Sequence, residues 1–272
     1  MARWQPSERN ARYRKRRNAG FPSVVSEGDS WFDYPFYKNT IDLIDDAELF
    51  AHHRLEASGD TVKGMIGTAA AVNNLRTIIE HERPICVLFS GGGNDLAAAA
   101  TKLFCLATEP PDCLDGVEMT ALFDRLAASY ADMIGAIGPI APIFAHGYDY
   151  FAPSAAPVKF VGIETGIGPW IFPSMIAIGL QDEALRRAVA HILVDRFNDM
   201  LRALAATHPL DFVHIDLRGT LDIDADWQNE IHPTRPGFRK VASALQAKVV
   251  NRLPGLLSER LAARLGPAGG AA

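Results

Sequence analysis

Short apolar runs that end in glycine-containing polar motifs recur along this chain, and patterns typical of helices separate them. The runs lie at Val24–Val25, at Ile85–Phe89, at Ala141–Ala145 and within Asp211–Leu217, and a further short strand is expected at the start of His52–Thr61. Runs of this kind predict buried strands. Because strands that alternate with helices form parallel βαβ units, we predict a three-layer α/β/α sandwich around a central, mostly parallel five-stranded sheet.

Helical patterns fill most of the chain between these runs. They cover Asn39–Phe50, Val62–Glu82, Leu96–Leu106, Glu118–Ile137, Asp182–Thr207 and Pro236–Leu256. One segment, Phe151–Leu180, is rich in glycine, proline and aromatic residues and has no clean period. It is longer than an ordinary connection, so we expect an insertion that forms a lid or a pocket wall.

The length of 272 residues and a hydrophobic content of 48% allow a substantial single core. No low-complexity linker divides the middle of the chain. We therefore expect one domain over residues 21–256, with the insertion at about 151–180. We expect residues 1–20 to be a basic, disordered arm and residues 257–272 to be a tail whose glycine-rich end frays.

Composition and the cysteines restrict the class of protein. The net charge of −5 argues against a general nucleic-acid binder, and no apolar run is long enough to span a membrane. The N-terminus lacks the apolar centre of a signal peptide, so we expect a cytoplasmic protein. Cys86, Cys105 and Cys113 lack metal-type spacing and fit a reducing compartment, although Cys105 and Cys113 would be a candidate pair in an exported protein.

Four polar motifs follow predicted strands. Gly28-Asp29-Ser30 follows the first, Ser58-Gly59-Asp60-Thr61 the second, Gly92-Gly93-Asn94-Asp95 the third and Asn229-Glu230-Ile231-His232-Pro233 the last. Open α/β sheets bind ligands at the carboxyl ends of their strands. All four motifs are therefore predicted to meet along one edge of the sheet.

The order and composition of these motifs resemble those of the GDSL-type esterases, also called SGNH hydrolases. The resemblance runs from Val24 to about Val250. It implies a flavodoxin-like SGNH hydrolase fold and a serine hydrolase that cleaves a carboxylic or O-acetyl ester through an acyl-enzyme intermediate. It also implies a small-molecule ester as the partner and no cofactor or metal. The identity of the ester and the oligomeric state stay open.

The roles of the site residues follow from what ester hydrolysis needs: a nucleophile, a base and donors for the oxyanion. Ser30 is the expected nucleophile and His232 the expected general base. The expected oxyanion donors, which the resemblance also implies, are the backbone N–H groups of Ser30 and Gly59 and the side-chain amide of Asn94. Taken singly, each of these residues also fits a turn, a cap or the surface.

One position departs from the family pattern. The family places an aspartate three residues before the histidine, and here that residue is Asn229. An amide oxygen fixes the tautomer of the histidine but supplies no charge. We therefore expect Asp226 to provide the carboxylate while Asn229 shapes the loop. The alternatives are Glu230, Asp224 and Asp222, or a dyad without any carboxylate.

Other interpretations stay open at this point. A non-catalytic binding module on the same fold would explain the lost aspartate, and a flavin binder would require the motifs to be accidental. Neither a GxGxxG fingerprint nor a GxSxG elbow is present. His52, His53 and His146 lack the spacing of metal ligands. Candidate walls of an acyl pocket are the aromatic residues Trp31, Tyr34, Phe36, Tyr148, Tyr150, Trp170 and Phe172.

Overall fold

A parallel five-stranded sheet forms the centre of the protein. The computed structural model describes residues 3–160 and 163–265. The strands are β1 (Ser23–Gly28), β2 (Ala51–Arg54), β3 (Cys86–Ser90), β4 (Ile143–His146) and β7 (Phe212–Ile215), in the order β2-β1-β3-β4-β7. Every neighbouring pair is parallel. This is the doubly wound order of flavodoxin-like folds, and it confirms the predicted fold class.

The inner strands β1, β3 and β4 are largely apolar because helices cover both faces of the sheet, whereas the edge strand β2 is Ala51-His52-His53-Arg54. Val25 pairs with Val87, and Leu88 pairs with Phe144. All four residues are buried. Residues buried on both faces explain why the apolar runs at Val24–Val25 and Ile85–Phe89 are continuous rather than alternating.

Helices connect the strands and form the two outer layers. They are α1 (Pro6–Asn18), α2 (Thr40–Asp46), α3 (Val62–Ile66), α4 (Ala69–Glu82), α5 (Gly93–Leu103), α6 (Gly116–Ile137), α7 (Phe172–Ala177), α8 (Glu183–Thr207) and α9 (Arg235–Leu265). Helices α2 and α9 pack against each other, whereas α6 packs against α4 and α8. Because parallel crossovers are right-handed as a rule, this strand order puts these two groups of helices on opposite faces of the sheet.

Two helix predictions need correction. The segment Val62–Glu82 contains two helices rather than one, because the Thr68 side chain caps a new helix by accepting the N–H of Ala71 at 3.2 Å. The last helix continues past residue 256 to Leu265, so the expected tail is helical over its first part. Residues 266–272, where fraying is expected, lie outside the described part of the chain.

The expectation of a disordered N-terminal arm is also wrong over Pro6–Asn18, which is helix α1. This helix packs on β2. Arg9 and Arg16 are buried, and their guanidinium groups bind Asp33, in the loop after β1, and Asp45, in helix α2. A basic segment orders here because the folded domain supplies buried carboxylates as partners.

The insertion between β4 and α8 contains a short antiparallel hairpin and a short helix. The hairpin is formed by β5 (Lys159–Phe160) and β6 (Ile163–Glu164), and helix α7 follows it. The three cysteines of the chain are free thiols, including Cys105 and Cys113, which lie on facing segments. Within residues 3–160 and 163–265, no helix combines the length and apolarity that a membrane span requires.

Candidate active site

Strand β1 delivers Ser30 to the carboxyl edge of the sheet through a tight turn. A Cβ atom on Gly28 would lie 2.7 Å from the Cβ of Ser90 on β3, so only glycine lets the two strands approach here. After the turn, the Asp29 carboxylate accepts the backbone N–H of Trp31 at 3.0 Å. Ser30 is held between these two residues and is 7% exposed. Its hydroxyl is therefore fixed in place and reached from the pocket.

His232 lies on the loop between β7 and α9, and its ring meets the Ser30 hydroxyl. The distance from Nε2 to Ser30 Oγ is 2.8 Å. Two hydrogen bonds from the segment after Ser30 hold this loop: Trp31 Nε1 donates to the Ile231 carbonyl at 3.0 Å, and the Tyr37 hydroxyl donates to the Pro233 carbonyl at 2.6 Å. Residues about 200 positions apart thus form the contact that the sequence predicts.

Asn229 binds the other side of the imidazole. Its Oδ1 lies 3.0 Å from His232 Nδ1 and also accepts the backbone N–H groups of Ile231 and His232. An amide oxygen is only an acceptor, so Nδ1 carries the proton and Nε2 is free to accept from Ser30. The His-orienting candidate is therefore in contact with the histidine.

Burial, without a nearby carboxylate, sets the basicity of His232. Desolvation lowers the pKa of His232 to about 3, and no charged neighbour offsets it. Aromatic rings enclose the imidazole: the ring centroid of Tyr34 lies 4.7 Å away and that of Trp170 lies 5.2 Å away. The imidazole is therefore neutral over the whole physiological pH range.

The structure does not bring Asp226 to His232. Its carboxylate accepts the backbone N–H of Asp222 at 2.8 Å and forms an ion pair with Lys240. Both bonds stabilise the loop that carries Asp226, and the Asp226 residue is buried, with 4% exposure. The expectation that Asp226 supplies the charge of a triad is thus not met by the geometry.

The other candidate carboxylates are also engaged elsewhere. Asp222 accepts backbone N–H groups of its own turn, and Asp224 binds Arg187 at 3.0 Å. Glu230 binds the insertion. In the described part of the chain no carboxylate hydrogen-bonds the His232 ring, so Ser30, His232 and Asn229 form the arrangement that is present.

The two remaining oxyanion candidates belong to neighbouring loops. Gly59 has a φ of +93°, a backbone conformation that favours glycine. Asn94 opens helix α5, and its Nδ2 donates to the Asp60 carbonyl at 2.7 Å. An amide nitrogen has two hydrogens, so this bond ties the Gly59–Asp60 turn to Asn94 and leaves one hydrogen for a ligand. Asn94 and Ser30 line the same pocket, and Gly59 is not among its lining residues.

The pocket beside Ser30 is mostly apolar, with a free volume of about 50 Å³. Two of the predicted aromatic residues, Trp31 and Tyr148, line it. Sequence reasoning missed most of the other walls, because they come from the insertion, helix α8 and the His232 loop. These walls are Phe151, Ile171, Leu193, Val194, Phe197, Trp227 and Ile231.

Glu230 anchors the insertion over the site. Its buried carboxylate accepts the backbone N–H groups of Trp170 at 2.7 Å and Ile171 at 2.8 Å, and also that of Phe172. Burial raises the pKa of Glu230, and the three N–H donors oppose that rise. The insertion therefore forms a pocket wall, one of the two expected outcomes, and it places Trp170 against His232.

The histidines considered for metal binding have other surroundings. His52 is buried in β2, where desolvation lowers its pKa to about 3, and His146 is hydrogen-bonded inside the fold. Across residues 3–160 and 163–265, no group of three His, Cys, Asp or Glu side chains has the arrangement of a metal site.

Comparison with solved structures finds chains of similar architecture. A lipase from a goat rumen metagenome aligns over 85% of this chain and 99% of its own, with a TM-score of 0.55 and 14% identity. This chain shares the fold of that lipase. At this identity the likeness concerns the fold alone and determines nothing about site residues or substrate.

Other similar structures have lower scores. An alpha/beta hydrolase enzyme from the metagenome of Lake Arreo, Spain, covers 83% of this chain and 94% of its own, at 16% identity and a TM-score of 0.48. A family 3 carbohydrate esterase from Clostridium thermocellum covers 87% of this chain and 98% of its own, at 14% identity and a TM-score of 0.44. No protein-family model and no curated protein matches the chain.

Proposed function

We propose that the protein is a serine hydrolase of the SGNH/GDSL type that cleaves esters of short acyl groups through an acyl-enzyme intermediate. The observation that carries the proposal is the 2.8 Å contact between His232 Nε2 and Ser30 Oγ, with Asn229 on the far nitrogen. A nucleophile, a base and an orienting acceptor in that order are the parts that acyl transfer requires.

The first half of the reaction forms the acyl-enzyme. Ser30 Oγ attacks the ester carbonyl carbon while His232 Nε2 takes the hydroxyl proton. The carbonyl oxygen becomes an oxyanion that accepts N–H groups from Ser30, Gly59 and Asn94. The carbon–oxygen bond to the alcohol then breaks, and His232 returns the proton to the leaving alkoxide.

Water completes the cycle. It enters the place of the alcohol, gives a proton to His232 and attacks the acyl carbon. Collapse of the second tetrahedral intermediate breaks the bond to Ser30 Oγ, which recovers its proton from His232. Asn229 stabilises the imidazolium as a dipole rather than a charge, so turnover is slower than that of a triad with aspartate.

The pocket supports a short acyl group. A cavity needs about 10–15 Å³ to hold one water molecule. The free volume of about 50 Å³ beside Ser30 therefore accommodates a few non-hydrogen atoms. Acetyl to butyryl groups fit that space, whereas a fatty acyl chain requires the walls to move. The apolar walls favour the hydrocarbon part of an acyl group over a sugar ring.

A panel of p-nitrophenyl esters from acetate to palmitate, measured beside an acetylated-sugar panel, tests this proposal. We expect kcat/KM to be highest for acyl groups of two to four carbons and to vanish in Ser30→Ala. No hydrolysis of any ester would instead favour the non-catalytic binding module, and equal activity of Ser30→Ala would show that Ser30 is not the nucleophile. The cytoplasmic location stays a prediction, for which the three free thiols are the support.

A further inference from the structure

Four hydrogen-bonded side chains lie beneath the nucleophile loop in a continuous row. His146 Nε2 is 2.9 Å from Ser90 Oγ, and Ser90 Oγ is 2.8 Å from Asp29 Oδ1. The other carboxylate oxygen of Asp29 accepts the Tyr148 hydroxyl. His146 and Ser90 are fully buried, and Asp29 is 2% exposed. The proposed reaction uses none of these four groups.

The hydrogen bonds of this row restrict the protonation states of His146 and Asp29. His146 Nδ1 lies 2.9 Å from the Gly147 carbonyl, an acceptor, so Nδ1 carries a hydrogen. If Asp29 is ionised, Ser90 must donate its only hydrogen to Asp29 and must accept from His146 Nε2. His146 then carries hydrogens on both ring nitrogens and is an imidazolium.

The alternative assignment reverses the direction of the bonds. A neutral His146 leaves Nε2 as an acceptor, so Ser90 donates to it, and Ser90 then accepts a hydrogen from a protonated Asp29. Both assignments contain one proton more than an ionised Asp29 and a neutral His146 would hold together. With Asp29 ionised and His146 neutral, one of the buried contacts among Gly147, His146, Ser90 and Asp29 would join two acceptors with no hydrogen between them.

We propose that Asp29, Ser90 and His146 form a buried relay that holds this additional proton and positions the nucleophile loop. The hydrogen-bonded row contacts two loops of the candidate site. Asp29 also accepts the N–H of Trp31, the residue after Ser30. At the other end, the Tyr148 hydroxyl accepts the N–H of Gly93 at 3.1 Å, next to Asn94. The relay thus connects the nucleophile turn to the loop that carries an oxyanion donor.

The surroundings of the relay shift the pKa of His146 in opposite directions. Burial lowers the pKa of His146, whereas the Gly147 carbonyl and the charge of Asp29 raise it. The other titratable groups that face the relay are Tyr130, Asp95 and Asp60, which interact with Asp29, and His214, which interacts with His146. Asp29 and Tyr148 also line the pocket beside Ser30, so this end of the relay borders the candidate site.

Long-range proton–nitrogen NMR on protein labelled with ¹⁵N-histidine, combined with infrared spectroscopy, tests the proton count at pH 7. His146→Gln and Asp29→Asn assign the signals, and His214→Gln is the control on the neighbouring strand. We expect either both ring nitrogens of His146 to carry hydrogen or a carboxylic acid band that Asp29→Asn removes. A singly protonated His146 together with no such band would overturn the proposal.

Ser90→Ala tests the positioning role, and its kinetic reading rests on the proposed esterase activity. The variant removes only the bridging hydroxyl. We expect loss of the relay signature and a fall in kcat of about tenfold, with KM changed less than about twofold, since small displacements of reacting groups are costly. Unchanged kcat would overturn the positioning role. If the protein hydrolyses no ester, or if Ser90→Ala does not fold, the wild-type spectra still decide the proton count.

Discussion

The imidazole of His232 binds an amide where related catalytic arrangements use a carboxylate: its Nδ1 lies 3.0 Å from Asn229 Oδ1. The amide fixes which nitrogen faces Ser30 but adds no charge to stabilise the imidazolium. Burial alone then determines the basicity of the ring, with a pKa of about 3.

The first prediction concerns pH. kcat/KM follows the essential groups of the free enzyme. Since the folded pKa of His232 lies far below 6.5, the base stays neutral as the pH falls, and we expect kcat/KM to change less than about twofold between pH 7.5 and 5. A catalytic histidine with the ordinary pKa would lose about thirtyfold over this range. Short-chain ester hydrolysis across the range measures the difference.

Two variants are the controls for this profile. Asn229→Asp restores a charge beside Nδ1 and raises the pKa of His232, so it should increase kcat/KM at pH 7.5 and produce a decline toward acid. Glu27→Gln removes a carboxyl group whose pKa burial raises to about 7, and it should leave the profile flat. A wild-type decline centred near pH 6.5 would contradict the dyad.

The free energy of unfolding also changes with pH, so folding is monitored alongside the activity. The unfolded chain protonates its histidines near pH 6.5, whereas folded His52 and His232 stay neutral to about pH 3. As the pH falls below 6.5, the unfolded state binds these protons first, so the free energy of unfolding decreases toward acid. Circular dichroism at each pH confirms that the activity is that of the folded protein.

A second prediction separates loop structure from catalysis. Asp226→Ala removes the partner of Lys240 and of the Asp222 N–H. We expect kcat/KM to stay within about threefold of wild type, while the free energy of unfolding falls by about 1–3 kcal/mol, the usual cost of unpairing a buried polar group. Asp224→Ala is the matched control, because Asp224 is exposed and on the same loop. A loss of 10³ or more in kcat at full stability would restore Asp226 to the triad.

Glu230 gives a third prediction about the insertion. Glu230→Ala leaves the backbone N–H groups at positions 170–172 without their acceptor. We expect faster proteolytic cleavage within residues 151–180 and an increase in KM of about tenfold, as the wall beside His232 loosens. Glu164→Ala changes an exposed residue of the same insertion and should alter neither. Unchanged cleavage in Glu230→Ala would show that other contacts hold the wall.

The fourth prediction concerns the N-terminal helix. Arg16 is buried, pairs with Asp45 and donates to the Asp45 carbonyl at 2.9 Å. Asp45 keeps Arg12 as a second partner at 2.6 Å, so its charge is not left unpaired in Arg16→Ala. We therefore expect the free energy of unfolding to fall by about 1–3 kcal/mol, the cost of lost hydrogen bonds to a buried charged group. Arg14 is exposed on the same helix, and Arg14→Ala should have little effect. Urea denaturation of both variants makes the comparison, and equal stability would mean that α1 contributes little.

The strands and the motif edge were predictable because parallel strands are continuous apolar runs and their loops meet at one edge. The contact between Ser30 and His232 follows from that rule. Helix α1 was not predicted, because the basic run Arg14-Lys15-Arg16-Arg17 resembles a solvated segment. The available signal was the spacing of Arg9, Arg12 and Arg16, which places their side chains on one face of a helix.

The contacts of His146 and Glu230, which the sequence suggested only for other roles, depend on tertiary structure. His146 reaches Ser90 only because β3 and β4 lie side by side in the sheet, with Phe89 opposite Ala145. Glu230 carries no motif of its own beyond its place in the His232 loop. The geometry does not support the Asp226 prediction for a related reason: sequence proximity to His232 did not reveal that Lys240, in helix α9, is the partner of that carboxylate.

Labelling with a fluorophosphonate, followed by peptide mass spectrometry, tests the central claim most directly. We expect Ser30 to be the one modified residue and labelling to be abolished in Ser30→Ala. In His232→Gln we expect labelling to be slowed at least about 10²-fold, because the hydroxyl is nucleophilic only with its base. Modification of another residue, or labelling at an unchanged rate in His232→Gln, would contradict it.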